Sequence, residues 1–257
     1  MSRPGMQKEN GLPKTAQGSA VVLVHGHGSH PARMAALARA AQGAGLHVLN
    51  FGYPSTRLGF DAIAQRLIAA IEPLEHTHAQ VHFITHSMGG LVVRRMLALR
   101  PMRAPGRMVM IAPPNCGSAL ARRMLRTRAA RALAGPAACE MAGCCADVSC
   151  LAPAARNTSN GLDTTLFAEP GAPAMIIAGT QSFSPLSINA WISAALRIHG
   201  RSANDGTVAV HETRLPHETH FVRIHDHHSH LVRNQQVIQA AVGFFQESIQ
   251  ADADIVC

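Results

Sequence analysis

The stretch VHFITHSMGGLVVRRML, residues 81–97, decides the fold. It begins with a continuous apolar run, as expected for a strand of a parallel sheet with both faces covered. Two glycines behind the serine then open a segment with the length and composition of a helix. Ser87 therefore lies at a tight strand-to-helix turn, where the backbone is strained and a side chain points clear of the sheet. It is either an exposed nucleophile or a residue that caps the helix in a glycine-rich turn.

The residues around Ser87 depart from the usual nucleophile motif at one position. The pattern is G-x-S-x-G, and here it is T-H-S-M-G, with Thr85 in place of the first glycine. This departure lowers the specificity of the motif taken alone.

A second motif, HGHG at residues 25–28, directly follows the first apolar strand. A His-Gly turn at this place supplies backbone N–H groups to the oxyanion hole of many esterases. We predict that the N–H groups of His27 and Met88 form this hole. The imidazoles of His25 and His27 are expected to be structural and to hydrogen bond the loop.

Strand-like and helix-like segments alternate along the chain, which favours a parallel sheet with right-handed crossovers. The predicted fold is α/β, with a mostly parallel central sheet and helices on both faces. Predicted strands cover residues 20–25, 47–50, 81–85, 107–111, 174–178 and 221–224. Predicted helices cover residues 31–42, 60–71, 89–99, 118–133 and 235–249.

The 257 residues, 47% of them hydrophobic, suffice for one large core and suit a single domain. We place this domain at 19–250, after a flexible segment at 1–18 and before a tail at 251–257. Residues 135–173 are rich in Ala, Pro and Cys and are a possible cap over one end of the sheet. The chain has no apolar run of the roughly 20 residues that span a bilayer and no signal-peptide pattern at its start, so a cytoplasmic location is expected.

The net charge of +8 favours contact with anionic surfaces. Within the basic run at 118–133, Arg122, Arg123 and Arg126 recur at helical spacing beside apolar residues. Such a helix is typical of a solvated face or of peripheral contact with an anionic membrane. Nucleic acid is not an expected partner, because one Trp and one Tyr offer few stacking groups. No obligate protein partner is predicted.

Four of the six cysteines are clustered, at Cys139, Cys144, Cys145 and Cys150. The sequence CEMAGCCADVSC lacks the paired C-x-x-C framework of a zinc site, so thiols are the favoured interpretation. We predict no metal and no organic cofactor.

The acid and the base of a catalytic triad should follow the serine in that order. Asp205 lies in the turn sequence SANDGTVAV, where Gly206 permits an unusual backbone angle. Asp226 and Asp163 are the competing acids, and Asp226 is expected to be a solvated member of a histidine-rich loop. The base should lie in the loop after the last strand, which admits His225, His227, His228 and His230.

Six segments together resemble the bacterial serine hydrolases of the α/β-hydrolase fold, in the lipase and esterase branch. They are HGHG, NFGYPST, VHFITHSMGGLVVR, MIAPPNCGS, NDGTVAVHETRLP and HHSHLVRN, and the likeness spans roughly residues 19–247. The catalytic histidine of that family precedes Ser or Thr, a variable residue and two apolar residues. Laid on HSHLV, this register implies that His228 is the base.

The resemblance implies a serine hydrolase that cleaves carboxylic esters of apolar acids or lipids through Ser87, His228 and Asp205. Tyr53 and Leu231 are candidates to contact this small-molecule substrate. An acyltransferase would use the same triad with an alcohol or amine in place of water and is the alternative. A non-catalytic binding module would not need the three residues in this order.

Overall fold

The computed structural model describes residues 18–103, 105–143, 162 and 164–254. Its centre is a parallel sheet of six strands in the order β2-β1-β3-β4-β5-β6. The strands are β1 (Ser19–Val24), β2 (His47–Phe51), β3 (Gln80–His86), β4 (Pro105–Ile111), β5 (Ala174–Gly179) and β6 (His220–Ile224). All six strands expected from the sequence are present, which confirms the α/β prediction.

Strand β1 shows why the sheet is covered on both faces. Ala20, Val22 and Val24 belong to one buried apolar cluster, and Val21 and Leu23 belong to another. Because side chains alternate between the faces of a strand, a continuous apolar run contributes to both layers.

The helices pack in two layers and at one end of the sheet. They are α1 (Ala35–Gly43), α2 (Phe60–Thr77), α3 (Met88–Leu99), α4 (Ala119–Met124), α5 (Arg128–Ala134), α6 (Pro136–Met141), α7 (Ile188–Ala195) and α8 (Gln235–Asp254). Apolar side chains of α2 and α3 lie in the cluster of one face, and those of α1 and α8 lie in the cluster of the other.

The basic run at 118–133 is not the single helix expected from its spacing. It divides into α4 and α5, because the chain leaves helical geometry at Leu125 and a new helix begins after Thr127. The Ser118 side chain accepts a hydrogen bond from the Ala121 N–H, and the Thr127 side chain accepts one from the Ala130 N–H. Two side-chain caps so close together start two short helices in place of one long one.

The described part of the possible cap, residues 135–143, contains α6, which the sequence analysis does not predict. Helix α7 is also absent from the predicted elements. Residues 1–17, 104, 144–161, 163 and 255–257 lie outside the described residues. They include nearly all of the N-terminal segment at 1–18 and the last three residues of the tail at 251–257, of which residues 251–254 continue α8. In the described chain, every helix is too short or too polar to traverse a bilayer.

Candidate active site

Ser87 has a strained backbone at the turn between a strand and a helix. It follows the last residue of β3 and precedes the first residue of α3, with φ 52° and ψ −127°. A side chain in this region of the backbone map costs of order 1–3 kcal/mol and persists only where the surroundings impose it. The Ser87 N–H donates to the Ile111 carbonyl at 2.8 Å, but the side chain makes no capping hydrogen bond. The hydroxyl therefore does not serve the helix-capping role.

Three glycines let neighbouring segments approach this turn. A Cβ atom at Gly26 would lie 2.9 Å from the Ser87 Cβ, and one at Gly89 would meet the Val24 carbonyl oxygen. A Cβ at Gly90 would lie 3.3 Å from the Thr85 hydroxyl. Thr85 fits in place of the usual first glycine because Gly90 leaves space for its side chain.

Asp205 and His228 form a buried hydrogen-bonded pair. The His228 Nδ1 atom lies 2.7 Å from Asp205 Oδ2, and the His228 N–H donates to the Asp205 carbonyl at 3.0 Å. Asp205 Oδ1 accepts the N–H groups of Thr207 at 3.0 Å and Val208 at 2.7 Å. A carboxylate is only an acceptor, so the proton of neutral His228 is on Nδ1 and Nε2 keeps its lone pair.

Glycines also position the loop that carries the acid. Gly206 has φ +85°, and its N–H donates to the Asn204 side chain at 2.9 Å. A Cβ at Gly179, the last residue of β5, would lie 2.7 Å from the Asp205 Cβ. The acid thus sits directly on the carboxyl end of a central strand, within reach of the loop after β6.

Ser87 and His228 line one cavity of about 500 Å³. Its polar wall comes from the loop after β1, from Thr207 and from Ser229. Its apolar wall comes from α4 to α6 and their flanks, through Leu120, Ala121, Met124, Leu125, Ala134, Ala138 and Met141. The cavity thus sets an apolar wall opposite a polar one, an arrangement that can orient a small molecule with one apolar and one polar part.

The loop after β1 is held in place by its own side chains and by Ser55, which follows β2. The His27 Nε2–H donates to the Ala134 carbonyl at 2.7 Å, and the Gly28 N–H donates to the Ser55 hydroxyl at 2.9 Å. His25 Nδ1–H donates to the Gly26 carbonyl at 2.9 Å. His27 lines the cavity and Met88 begins α3, whose first N–H groups have no partner inside the helix. The assignment of the His27 and Met88 N–H groups to an oxyanion hole stays a prediction.

The two residues expected to contact substrate lie elsewhere. Tyr53 is 7% exposed, its ring stacks on His25, and its hydroxyl donates to the His25 carbonyl at 2.5 Å. Leu231 is fully buried in the cluster formed with α1 and α8. Neither residue is part of the cavity wall, because both fill the core beneath the loops. From sequence alone, an apolar residue beside a catalytic loop is not distinguishable from one beneath it.

The prediction that Asp226 is solvated is wrong. Asp226 is 6% exposed and accepts hydrogen bonds from His230 Nδ1 at 2.7 Å, Asn234 Nδ2 at 2.8 Å and the His227 N–H at 2.8 Å. Burial raises its pKa, but the hydrogen bonds from Asn234, His230 and His227 outweigh burial and leave the pKa below its ordinary value. Asp226 therefore holds together the loop that follows β6, apart from the Asp205–His228 pair.

The candidate histidines are now distinguishable by their partners. His225 is exposed beside the Thr180 hydroxyl, and His230 is paired with Asp226. Burial lowers the pKa of His227 below its usual value. Of these four histidines, His228 is the one that bonds Asp205 and lines the cavity. Asp163 lies outside the described residues.

His86 is a site residue that the sequence analysis does not single out. Its Nε2–H donates to the His228 carbonyl at 3.0 Å, and the two rings lie 4.8 Å apart. Burial and the neighbouring His228 lower its pKa to about 3, so the ring is neutral. The only signal in the sequence is its position directly before Ser87, which the motif leaves variable.

Glu212 connects the acid loop to the apolar wall of the cavity. Its buried carboxylate accepts the Ala119 N–H at the start of α4 and the Ala209 N–H, each at 2.8 Å. The Cys116 N–H donates to its carbonyl at 2.9 Å. One carboxylate thus fixes α4 relative to the segment that follows Asp205.

No set of three His, Cys, Asp or Glu side chains in the described ranges is arranged to hold a metal ion. Of the clustered cysteines, Cys139 is buried in α6, whereas Cys144, Cys145 and Cys150 lie outside those ranges.

A family model described as a domain of unknown function, DUF7379, matches residues 3–139. The chain belongs to this family. The part that matches the DUF7379 model includes Ser87 and the HGHG loop and ends before Asp205 and His228. No curated protein sequence matches the chain.

Solved structures similar to this DUF7379 member include lipases and esterases. The mature lipase BlEst2 of Bacillus licheniformis superposes with a TM-score of 0.62 at 19% identity, over 91% of each chain. The metagenomic carboxyl esterase MGS0156 gives a TM-score of 0.54 at 18% identity, over 88% of this chain and 70% of that one. The phospholipase PlaB of Legionella pneumophila gives 0.53 at 20% identity, over 77% of this chain and 46% of that one. At such identities the likeness shows the fold alone, an α/β-hydrolase fold.

Proposed function

We propose that the protein is a serine hydrolase that cleaves carboxylic esters through an acyl-enzyme. The observation that carries the proposal is the strained Ser87 turn facing the same cavity as His228, whose imidazole is held by Asp205 at 2.7 Å. A residue held at a costly backbone angle without a capping bond calls for a role outside folding. A nucleophile beside an oriented base supplies that role.

In the first step, His228 Nε2 takes the Ser87 proton as the hydroxyl oxygen attacks the ester carbonyl carbon. The carbonyl π bond becomes an oxyanion, which the N–H groups of His27 and Met88 would stabilise. The tetrahedral intermediate then collapses, the bond to the alkoxy oxygen breaks, and the imidazolium returns its proton to the departing alcohol. Asp205 keeps the ring oriented and stabilises its charge in both directions.

The second step releases the acid. Water gives a proton to His228 Nε2 and attacks the acyl carbon, and the Ser87 oxygen leaves as the proton passes back to it. Each turnover consumes one water and restores the neutral imidazole. The mechanism uses side chains and backbone N–H groups of this chain alone.

The cavity wall favours an apolar acyl group. The side chains that α4 to α6 present to the cavity are aliphatic or thioether groups, and burial of an acyl methylene against them is worth about 0.8 kcal/mol. The cavity volume of about 500 Å³ suits an ester of moderate size. The proposed substrates are therefore esters of apolar acids, including lipid esters.

The test is covalent labelling with a fluorophosphonate probe, followed by peptide mass spectrometry. We expect one adduct, on Ser87, and loss of both the adduct and p-nitrophenyl ester hydrolysis in Ser87→Ala. Ser229→Ala is the matched control, because Ser229 lines the same cavity and has no place in the mechanism. Loss of a triad member costs on the order of 10⁴ to 10⁶ in kcat. An adduct on Ser229, or a Ser87→Ala variant with a tenth of wild-type activity, would falsify the proposal.

The acyltransferase alternative uses the same acyl-enzyme and differs in the second nucleophile. Product analysis with increasing glycerol or short alcohols measures the partition between free acid and new ester. We expect free acid to dominate at low acceptor concentration, since water is then the most abundant nucleophile and the cavity is lined in part by the polar groups His30 and Arg33. A new ester that predominates at millimolar acceptor would identify a transferase.

A further inference from the structure

Helix α7 has a burial pattern that is the reverse of that of an ordinary surface helix. It buries the small residues Ala190 and Ser193 and leaves Ile188 75% and Trp191 54% exposed. Leu186, in the turn before the helix, is 94% exposed. The Trp191 indole donates to the Pro185 carbonyl at 3.1 Å, so its ring is fixed in this exposed position. Large apolar side chains clustered in water usually mark a binding surface.

An arginine groove adjoins the end of this helix. We define the groove by the residues that line it, Ala119, Arg122, Arg123 and Arg126 of the α4 region together with Leu196, Arg197 and Ile198 after α7. Four arginines therefore line one depression next to apolar side chains. Arginines gathered in this way attract phosphate and other anionic groups, since guanidinium matches their oxygen geometry.

Both features lie at the cavity that holds Ser87. Asn189 of α7 and Met124 of α4 line that cavity, while their neighbours in sequence form the apolar surface and the arginine groove. A partner bound to these two surfaces would therefore lie beside the cavity.

We propose that the exposed face of α7 and the arginine groove together dock the protein on an anionic phospholipid bilayer. Leu186, Ile188 and Trp191 would enter the interface between head groups and acyl chains, where tryptophan and aliphatic residues are stabilised. The arginines would contact the phosphates around them. A bilayer is the occupant that offers apolar and anionic chemistry side by side, and the net charge of +8 favours the same partner.

The proposal does not depend on ester hydrolysis, and its readout is the protein's own fluorescence. Trp191 is the single tryptophan of the chain, so its emission reports the environment of α7. The protein is titrated with vesicles of phosphatidylcholine containing 30 mol% phosphatidylglycerol and, separately, with pure phosphatidylcholine vesicles, each at low and high salt. We expect a blue shift and co-sedimentation with the anionic vesicles, weakened by salt, and little of either with the neutral vesicles.

Two pairs of variants separate the contributions. Arg123→Gln/Arg126→Gln should weaken partitioning about 25-fold, since each basic residue near an anionic surface contributes about fivefold. Arg39→Gln/Arg66→Gln removes the same charge from exposed positions on α1 and α2 and should change it little. Leu186→Ser/Ile188→Ser should remove the blue shift, whereas Leu99→Ser, at the far end of α3, should not.

Any of the following four results would overturn the proposal. A blue shift equal in neutral vesicles would exclude the role of the arginines, and equal effects of the Arg123/Arg126 and Arg39/Arg66 pairs would show only net charge at work. Sedimentation velocity without lipid tests the competing occupant, a second copy. A dimer that the Leu186→Ser/Ile188→Ser change dissociates would assign the α7 face to self-association. Absence of any shift with anionic vesicles would remove the docking surface altogether.

Discussion

Two buried aspartates, each hydrogen bonded to a histidine at 2.7 Å, allow a direct test of the proposed triad. Asp205 is paired with His228, and Asp226 is paired with His230. The changes Asp205→Asn and Asp226→Asn are the same in size and charge. Asp205→Asn should impair catalysis and Asp226→Asn should reduce stability, because His228 lines the cavity and His230 does not.

In Asp205→Asn, the amide oxygen can still accept the N–H groups of Thr207 and Val208 and keep the loop in place. The amide nitrogen then faces His228 Nδ1 as a donor, which requires the imidazole to carry its proton on Nε2. Such a ring does not accept the Ser87 proton. We expect kcat to fall by roughly 10² to 10⁴, equivalent to about 3 to 5 kcal/mol in the barrier, with KM nearly unchanged.

In Asp226→Asn, the new amide replaces an oxygen that accepts both His230 and Asn234, so at least one of these partly buried donors loses its partner. This costs about 1–3 kcal/mol, or roughly 2–4 °C in Tm for each kcal/mol in a chain of this size. The kcat value should stay within a few-fold of wild type.

The assay is steady-state hydrolysis of p-nitrophenyl butyrate by both variants, with thermal unfolding followed by circular dichroism. A folded Asp205→Asn variant with more than a tenth of wild-type kcat would refute the reasoning. So would a folded Asp226→Asn variant with a severe kcat defect, because that result would make Asp226 the acid.

Three further predictions concern His86, Asp226 and the cavity wall. His86→Phe keeps a ring but removes the donor to the His228 carbonyl, so kcat should fall about three- to tenfold, equivalent to one hydrogen bond, with an unchanged pH profile; a new ionisation near neutral pH would contradict it. The pKa of Asp226 is lowered in the folded protein, so its carboxylate stabilises the wild type relative to Asp226→Asn. This advantage in the free energy of unfolding should be fully present above about pH 4 and should be lost as the pH falls through the folded-state pKa. Urea unfolding measures it, and an advantage that persists unchanged in strong acid would oppose the prediction. Ala121→Leu adds a larger side chain to the apolar wall and narrows the cavity, so the acyl-chain length that gives the highest kcat/KM in a p-nitrophenyl ester series should become shorter. A preferred chain length that does not change would place the acyl group elsewhere.

The inner strands, such as β1 and β5, were predictable because they are buried on both faces, which leaves continuous apolar runs between turn residues. The border strands β2 and β6 are more exposed and were indicated by shorter apolar segments. The break between α4 and α5 was not predictable, because Arg122, Arg123 and Arg126 keep helical spacing across it. The capping hydrogen bonds of Ser118 and Thr127, which start two separate helices, compete with that pattern. Helix α7 escaped prediction for the opposite reason. Its large apolar residues point outward and its small ones inward, so its pattern is not that of a helix packed on a core.

The predicted site divides in the same way. Ser87 carries a local signal, since the strand, the turn and the helix are contiguous in sequence. The Asp226–His230 pair and the contact of His86 with His228 depend on how loops meet after folding. No spacing rule reports which of two aspartates lies beside which histidine. For the same reason Tyr53 and Leu231 could not be assigned to the core before the structure.

Because β6 is at the edge of the sheet, the proposed catalytic residues lie in regions that differ in local stability. Ser87 follows β3, which has a strand on each side, whereas His228 follows β6, which pairs with β5 alone among the strands that the structure describes. Outer strands open more readily than inner ones, well before a domain melts as a whole. Transient detachment of β6 would move His228 away from Ser87, while Ser87 would remain in place at the end of the inner strand β3. Heat inactivation should then precede the loss of circular dichroism, and the working lifetime of the protein would be governed by a single border strand.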